Sequence, residues 1–387
     1  MDQPARPRIV GIDVARGIAV LGMFTAHLGN KADVALPNGG SMLEAFDGRS
    51  AAGFALLAGV SAALLSGGDR PYRGPRLTHA RVRVLGRAAV LWPLGAVMIA
   101  LGTPAVVILP TYAVLFAVTA GLLHLRPRTL GVVALSVAIV APPVVVLVRD
   151  RLFAGDRPVQ LVDITLGHYY PAAVWLAYLV AGLAVGRLDL HSSRTRAWML
   201  GLGVTVAGAG LVTNAVAMRT VDLSHSFRLA MLTTRPHSSS PVEVLTNIGV
   251  VVAVLAVCLV LADRFPRTVA PLAATGALAL TAYCGHLVAI AVLGRMVVFD
   301  PSNVRLAVFV VVTVAVAWGW RAALGRGPLE RVLHEVSTAV ADAVVPEGRR
   351  PAHPAPAGPA PDGPAPDGPA APGAPEPAAP GAGGAQP

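Results

Sequence analysis

Three ionisable residues, Asp13, Arg16 and His27, lie within one strongly apolar stretch near the start of the sequence. Ionisable side chains are costly inside a membrane unless they are paired or hydrated, and they usually serve a function there. In a helix, the spacing of Arg16 and His27 is a net turn of about 20°, so both lie on one face, roughly 16 Å apart. Asp13 precedes Arg16 by three residues and can form an ion pair with it on that face.

This polar stripe predicts a conduit or an active site that points into a helical bundle. Arg16 would bind an anionic donor, and His27 would act as a general base. The structural alternative is a buried Asp13–Arg16 pair that fixes helix packing, together with an interfacial His27.

The composition excludes a soluble enzyme, so the polar stripe belongs to a membrane protein. Of the 387 residues, 55% are hydrophobic and 13% charged, whereas soluble domains have about 25% charged residues. The two cysteines, both in apolar runs, exclude a disulfide framework and a cysteine-based zinc site, and we expect no metal. We predict an all-α, polytopic integral membrane bundle of about ten transmembrane helices. The predicted spans are 9–28, 51–66, 82–101, 104–123, 129–148, 169–185, 197–217, 242–261, 270–293 and 304–324.

The arginines orient this bundle. With a cytoplasmic N-terminus, 21 of the 31 basic residues fall on the inner side, as the positive-inside rule requires. We therefore predict a multi-pass protein of the cell membrane with both termini in the cytoplasm. The net charge of +10 follows from this topology, and we expect no nucleic-acid partner.

The C-terminal tail differs from the rest of the chain. From residue 351 onward, 20 of 37 residues are Pro or Gly, and no large aliphatic or aromatic residue is present. We predict a transmembrane domain over 1–345 and a disordered cytoplasmic tail over 346–387.

Polar residues near the predicted outer side are further candidates. Asp47 could orient His27 or bind a sugar hydroxyl, and Arg49 and Ser50 follow it in the sequence. Asp47 is equally typical of a helix start. In the ninth predicted span, Tyr283 and His286 lie three residues apart and can be neighbours. They are candidates for acceptor binding, although a buried structural histidine is an equal alternative.

Basic residues at the predicted inner side could attract a phosphorylated ligand such as coenzyme A. Arg83 and Arg87 continue from an arginine-rich loop into the third span on one face, so they are the candidate donor-binding residues. The sequence contains no GxxxxGK[ST], HExxH or GxSxG motif, which leaves ATP-driven, metalloprotease and hydrolase functions unsupported.

Several short runs resemble a known family. The run RIVGIDVARG at 8–17 resembles the opening of heparan-alpha-glucosaminide N-acetyltransferase-like membrane proteins, a group that includes the bacterial YeiB-like family and belongs to the membrane acyltransferase superfamily. The runs DGRS at 47–50 and LAGVS at 57–61 look like its second signature. The runs GALALTAY at 276–283 and GPLE at 327–330 are similar to the YeiB-like C-terminal region.

The resemblance implies acyl transfer from cytosolic acetyl-CoA or another acyl-CoA to a hydroxyl or amine on the far side, on a glycan or a small molecule. Acetyl-CoA would be a co-substrate, with no bound cofactor. By this analogy Arg16 serves the donor end and His27 the chemistry, while Asp13 beside Arg16 is a candidate substrate-binding residue. The lysosomal members carry their catalytic histidine in the loop after the first span, whereas residues 29–50 contain none, so His27 would take its place.

Two other functions remain open from the sequence. The same stripe could be the permeation route of a transporter or flippase for a small anion or a lipid-linked sugar. Alternatively, a non-catalytic membrane protein could recruit partners through its tail.

Overall fold

The computed structural model describes residues 8–34, 41–152, 160–221 and 226–345. The predicted tail, 346–387, lies outside these residues, so its disorder stays a prediction. Within the described ranges the protein is helical and has no β-strand, which confirms the predicted all-α class. The helices are α1 (Val10–Leu28), α2 (Arg49–Leu65), α3 (Gly74–Ala100), α4 (Leu109–Leu122), α5 (Pro127–Leu152), α6 (Gln160–Leu166), α7 (Ala172–Val185), α8 (Ser193–Thr220), α9 (Ser226–Leu232), α10 (Pro241–Arg264), α11 (Pro266–Ala277), α12 (Ala279–Leu293), α13 (Met296–Phe299), α14 (Asn303–Leu324) and α15 (Pro328–Val344).

Seven of the described helices are long and apolar enough to cross a membrane, or eight if the bent pair α11 and α12 is one span. The shorter apolar helices α4 and α7 occupy the places of the fourth and sixth predicted spans. The count of about ten spans therefore stays a prediction, while a multi-pass membrane protein is supported.

The first helix lies inside the bundle. It packs against α2, α10, α11 and α14, and most of its residues are buried. Its contact with α11 is backbone to backbone, because a Cβ atom at Gly276 would overlap the carbonyl oxygen of Asp13. In contrast, α5, α8 and α14 expose most of their apolar side chains, as expected of helices that face lipid.

The ninth predicted span is broken rather than continuous. Helices α11 and α12 meet at Leu278 with a bend of 67°. The carboxylate of Glu330 accepts hydrogen bonds from the N–H groups of Leu280 (2.7 Å) and Thr281 (3.0 Å), and from the Thr281 hydroxyl (2.6 Å). A carboxylate in this place satisfies the free N–H groups at the start of α12. The predicted span 270–293 is therefore formed by two helices with a break at Leu278.

The helix that carries Glu330 was not predicted from the sequence. α15 packs along α3 in the antiparallel direction, because His334 contacts Arg83 (3.4 Å) and Asp342 contacts His79 (2.9 Å). It thereby connects the segment after α14 to the break between α11 and α12.

Candidate functional site

The polar residues of α1 form a cluster in its first half. Asp13 is buried and accepts hydrogen bonds from Arg8 Nε (2.5 Å) and Arg16 Nη1 (3.1 Å). Arg16 also donates to the hydroxyl of Ser61 on α2. The predicted Asp13–Arg16 ion pair is confirmed, and it lies on the face of α1 that points to α2.

A cavity of about 780 Å³ opens beside this cluster. Four arginines line it, and we call the end of the bundle where they lie the arginine end: Arg8, Arg16, Arg87 and Arg326. Four carboxylates also line the cavity, those of Asp13, Asp69, Asp189 and Glu330. The carboxylates of Asp13, Asp189 and Glu330 are engaged by hydrogen bonds. The cavity therefore has room and cationic groups for a sizeable anion.

The two arginines predicted on α3 differ in position. Arg87 lines the cavity, whereas Arg83 does not and contacts His334 instead. Arg87 is repelled by Arg83, Arg16 and Arg326, and its Nε is buried without a hydrogen-bond partner among the described residues. An anion in the cavity would relieve this repulsion.

The far end of the cavity approaches the opposite end of the bundle, which we call the histidine end because His27 lies there. Arg16 contacts Ser61, and Gly22 packs on Ser50, so α1 and α2 run antiparallel. Phe54 lines the cavity only five residues into α2, about 7.5 Å from the helix start at the histidine end. The cavity therefore follows α2 from Leu64 to Phe54, about 15 Å along the helix axis.

Two histidines meet at the histidine end. His27 Nδ1 lies 3.1 Å from His286 Nε2, and the ring planes differ by 20° with centroids 5.3 Å apart, as expected of two rings joined edge to edge. The ring of Phe24 packs against that of His286 with centroids 4.6 Å apart. Both residues were predicted as separate candidates, and the fold brings them together across 259 positions of sequence.

Tyr283 lies between this pair and the cavity. Its ring is 5.3 Å from that of His286, and its hydroxyl accepts a hydrogen bond from the backbone of Ile108 at 3.3 Å. The next residue, Leu109, lines the cavity. Tyr283 thus contacts both His286 and the backbone of Ile108, the residue before a lining residue of the cavity.

A comparison with protein families identifies this architecture. The family model described as heparan-alpha-glucosaminide N-acetyltransferase, catalytic, matches residues 8–210. The chain belongs to this family. The matched region contains Asp13, Arg16, His27 and Arg87, while Tyr283, His286 and Glu330 lie beyond it. No curated protein matches the chain.

The run 47–50, which resembles the second signature of the family, forms its described hydrogen bonds with residues other than His27 and His286. Asp47 forms an ion pair with Lys31, and Arg49 donates to the carbonyls of Glu44 and Ala45. Ser50 is buried against Gly22. Among the described residues, the side chain within hydrogen-bond distance of His27 is His286. His286, and not Asp47, therefore makes the described contact with His27, and the role of Asp47 stays a prediction.

A third histidine, outside the matched region, was missed in the sequence. His237 has a positive φ of 60°, interacts electrostatically with His27, and lies 3.2 Å from the carbonyl of Tyr169 through Nδ1. Burial lowers the pKa of His237, while the Tyr169 carbonyl and the charge of Asp47 act in the opposite direction. It is therefore a neutral imidazole at pH 7, close to the pair.

Glu243 holds the loop that carries His237. Its carboxylate accepts hydrogen bonds from the N–H groups of His237 (2.9 Å) and Ser239 (2.7 Å), while Ser240 caps the helix through Glu243 N (2.9 Å). The sequence Ser240-Pro-Val-Glu243 fits a capping box. That signal could have marked this loop as a fixed structure rather than an ordinary connection.

Proposed function

We propose that this protein is a membrane acyltransferase that moves an acetyl or other short acyl group from acyl-CoA to an acceptor hydroxyl or amine. The donor enters at the arginine end, and the acceptor, a sugar or envelope glycan, reaches the histidine end. This assignment has both termini in the cytoplasm and the protein in the cell membrane. The observation that carries it is the cavity lined by Arg87 at the arginine end and by Leu109 and Leu280 on the side where Tyr283 and the two histidines lie.

The donor end matches the chemistry of a phosphorylated carrier. Guanidinium groups bind phosphate oxygens with paired hydrogen bonds. Arg87, Arg16 and the exposed Arg326 all line the cavity, and both Arg16 and Arg326 repel Arg87. The phosphates would sit among them, and the long arm of the carrier would bring the thioester towards Phe54 and Tyr283.

The histidine pair suits general-base catalysis. One proton lies between His27 Nδ1 and His286 Nε2, so one ring donates and the other accepts. We assign the proton of His286 to Nδ1, on the side of the carbonyls of Ala282 and Tyr283, which leaves Nε2 as the acceptor. This buried Nδ1 makes no hydrogen bond of normal geometry among the described residues. His27 then donates through Nδ1 and keeps a lone pair on Nε2. In this state His27 can remove the acceptor proton, and His286 is a positioning residue.

The transfer reaction balances with these groups. The acceptor oxygen or nitrogen attacks the thioester carbonyl while its proton passes to His27 Nε2. The carbon–sulfur bond breaks, and the proton is returned to the leaving thiolate. The N–H of a helix start or a tyrosine hydroxyl can stabilise the oxyanion, and Tyr283 is the nearest such group to the pair.

The direct test is transfer of label from radiolabelled acetyl-CoA by the protein in nanodiscs. We expect His27→Ala to lower turnover by at least about 100-fold, the usual size of a general-base contribution. The matched control is His124→Ala, since His124 is exposed and contacts only Arg81 among the described partners. Equal turnover in the His27→Ala and wild-type proteins contradicts the proposal.

Transport is the second candidate, and the broken helix α11–α12 favours it. Discontinuous helices near the membrane centre are common at transporter substrate sites. This function predicts counterflow of a small anion or lipid-linked sugar in proteoliposomes without any acyl-CoA. Acyl transfer in the absence of counterflow rejects transport, and counterflow without transfer rejects the acyltransferase.

A further inference from the structure

A second cavity lies behind the histidine pair, between α12 and α14. Its volume is about 390 Å³, and nearly all of its lining is apolar. His286 lines it from α12, while Val308, Phe309 and Val312 line it from α14. Both valines are more than half exposed on the outer surface of α14. The cavity is therefore a groove that opens towards the lipid side of the bundle.

The dimensions of the groove suit a hydrocarbon chain. It extends on α14 from Val308 to Ala317, which is about 14 Å along a helix axis. Gly285 lines the opposite wall, and a Cβ atom added there would have no neighbour within 4 Å. The missing side chain thus leaves open space rather than a close helix contact.

The groove and His27 lie at the same level of the bundle. The start of α14 is fastened to the end of α1, because Asn303 Oδ1 accepts from Asn30 N (2.9 Å) and Ser302 N donates to the carbonyl of Leu28 (3.1 Å). His27 directly precedes Leu28. A polar group at the Val308 end of the groove would therefore lie next to His27 and His286.

We propose that the acceptor is amphiphilic and enters sideways from the bilayer, with its hydrocarbon chain in the groove between α12 and α14. Its hydroxyl or amine then reaches His27, which takes the proton as the new acyl bond forms and the thioester carbon–sulfur bond breaks. This inference rests on the proposed acyl transfer and names its acceptor class. A wall that is apolar except for His286 and the hydroxyls of Thr281 and Thr313 favours a chain over a free sugar.

The test fills the groove and compares two acceptors with one head group. Gly285→Leu places a side chain in the open space, and Gly319→Leu is the matched control, since Gly319 lies on exposed α14 surface outside the groove and is equally free of neighbours. Transfer from acetyl-CoA is measured to dodecyl glucosaminide and to free glucosamine. We expect the wild type to prefer the dodecyl acceptor by at least about tenfold in kcat/KM, as burial of two methylene groups would give.

Gly285→Leu should remove this preference and leave transfer to glucosamine within about threefold, while Gly319→Leu should behave as wild type. Equal loss with both acceptors, or no change with either, overturns the inference. A diazirine-labelled dodecyl glucosaminide provides a readout without turnover. Labelling confined to α12 and α14, and lost in Gly285→Leu, supports the groove. Labelling that is equal in all three proteins rejects it.

The photolabelling also separates the two proposals. If wild type transfers acetyl to neither acceptor but labels specifically in the groove, acyl transfer fails and the chain site stands. If the wild type transfers acetyl to both acceptors equally and is labelled without specificity, the amphiphilic acceptor is rejected and the proposed acyl transfer is retained.

Discussion

Replacing Arg87 with Gln should weaken binding of the donor without weakening the fold. Arg87 lines the large cavity, is repelled by Arg83, Arg16 and Arg326, and gains no ion pair in return among the described residues. Removing its charge relieves that repulsion in the empty protein. The unliganded variant is therefore expected to melt no lower than wild type.

The loss of affinity follows from the contact that Arg87 would make. A hydrogen bond from a charged group to phosphate contributes about 1.5–3 kcal/mol, and about 1.4 kcal/mol is a factor of ten. We therefore expect Arg87→Gln to weaken coenzyme A binding by about 10- to 150-fold. Binding of pantetheine, which lacks the phosphates, should change by less than about threefold.

Titration calorimetry in nanodiscs measures both ligands, and Arg83→Gln is the matched control. Arg83 is one turn away on the same helix but does not line the cavity, so its removal should cost less than about threefold. Equal weakening of coenzyme A binding by Arg83→Gln and Arg87→Gln would contradict a phosphate contact of Arg87. An equal fall in the binding of pantetheine and coenzyme A would contradict it as well.

Three further outcomes are expected. His286→Asn keeps a group that can accept from His27 and should retain more turnover than His286→Ala, with little change in donor affinity; equal turnover in the two variants would remove the positioning role. Burial and three neighbouring arginines lower the pKa of His334, and a bound phosphate would raise that pKa. The affinity for coenzyme A should therefore increase as the pH falls below about 6.5. Calorimetry at pH 5.5 and 7.5 tests this, and a His334→Gln variant should bind equally at both pH values. Arg187 is buried and donates to the carbonyls at 63, 66, 68 and 123 and to a hydroxyl at 66, so Arg187→Met should destabilise the protein by at least about 3 kcal/mol; a melting temperature equal to that of an Arg194→Met control would contradict this.

The membrane class and much of the helix order could be predicted from hydropathy, because apolar runs of sufficient length are the strongest signal in such a sequence. The Asp13–Arg16 pair was also accessible, since three residues of helix bring both to one face. These features are local, and their geometry follows from the helix repeat.

The break at Leu278 could not be predicted from the helix repeat or from hydropathy. Residues 270–293 are mostly apolar, and the residue that replaces the helix hydrogen bonds, Glu330, lies about fifty residues later. A long-range contact of this kind leaves no signal in a hydropathy window. The amphipathic spacing of Leu329, Leu333 and Ala341 could have indicated α15 itself.

The candidate site was predicted as separate residues rather than as a geometry. His27 and His286 were named, but their contact depends on how α12 packs beside α1. Arg83 and Arg87 share one face of α3 in the sequence, and only the packing of α15 separates one from the cavity and leaves the other in it. His237 was not predicted, since a loop position has no helical period that would relate it to His27.

The most direct measurement is a structure of the protein in nanodiscs with a non-transferable acetyl-CoA analogue, in which the thioester sulfur is replaced by methylene. We predict phosphates among Arg87, Arg16 and Arg326, and an acyl carbonyl beside Tyr283 within reach of the His27–His286 pair. An analogue with its acyl end at the arginine end, or bound outside this cavity, would contradict the proposed acyl transfer.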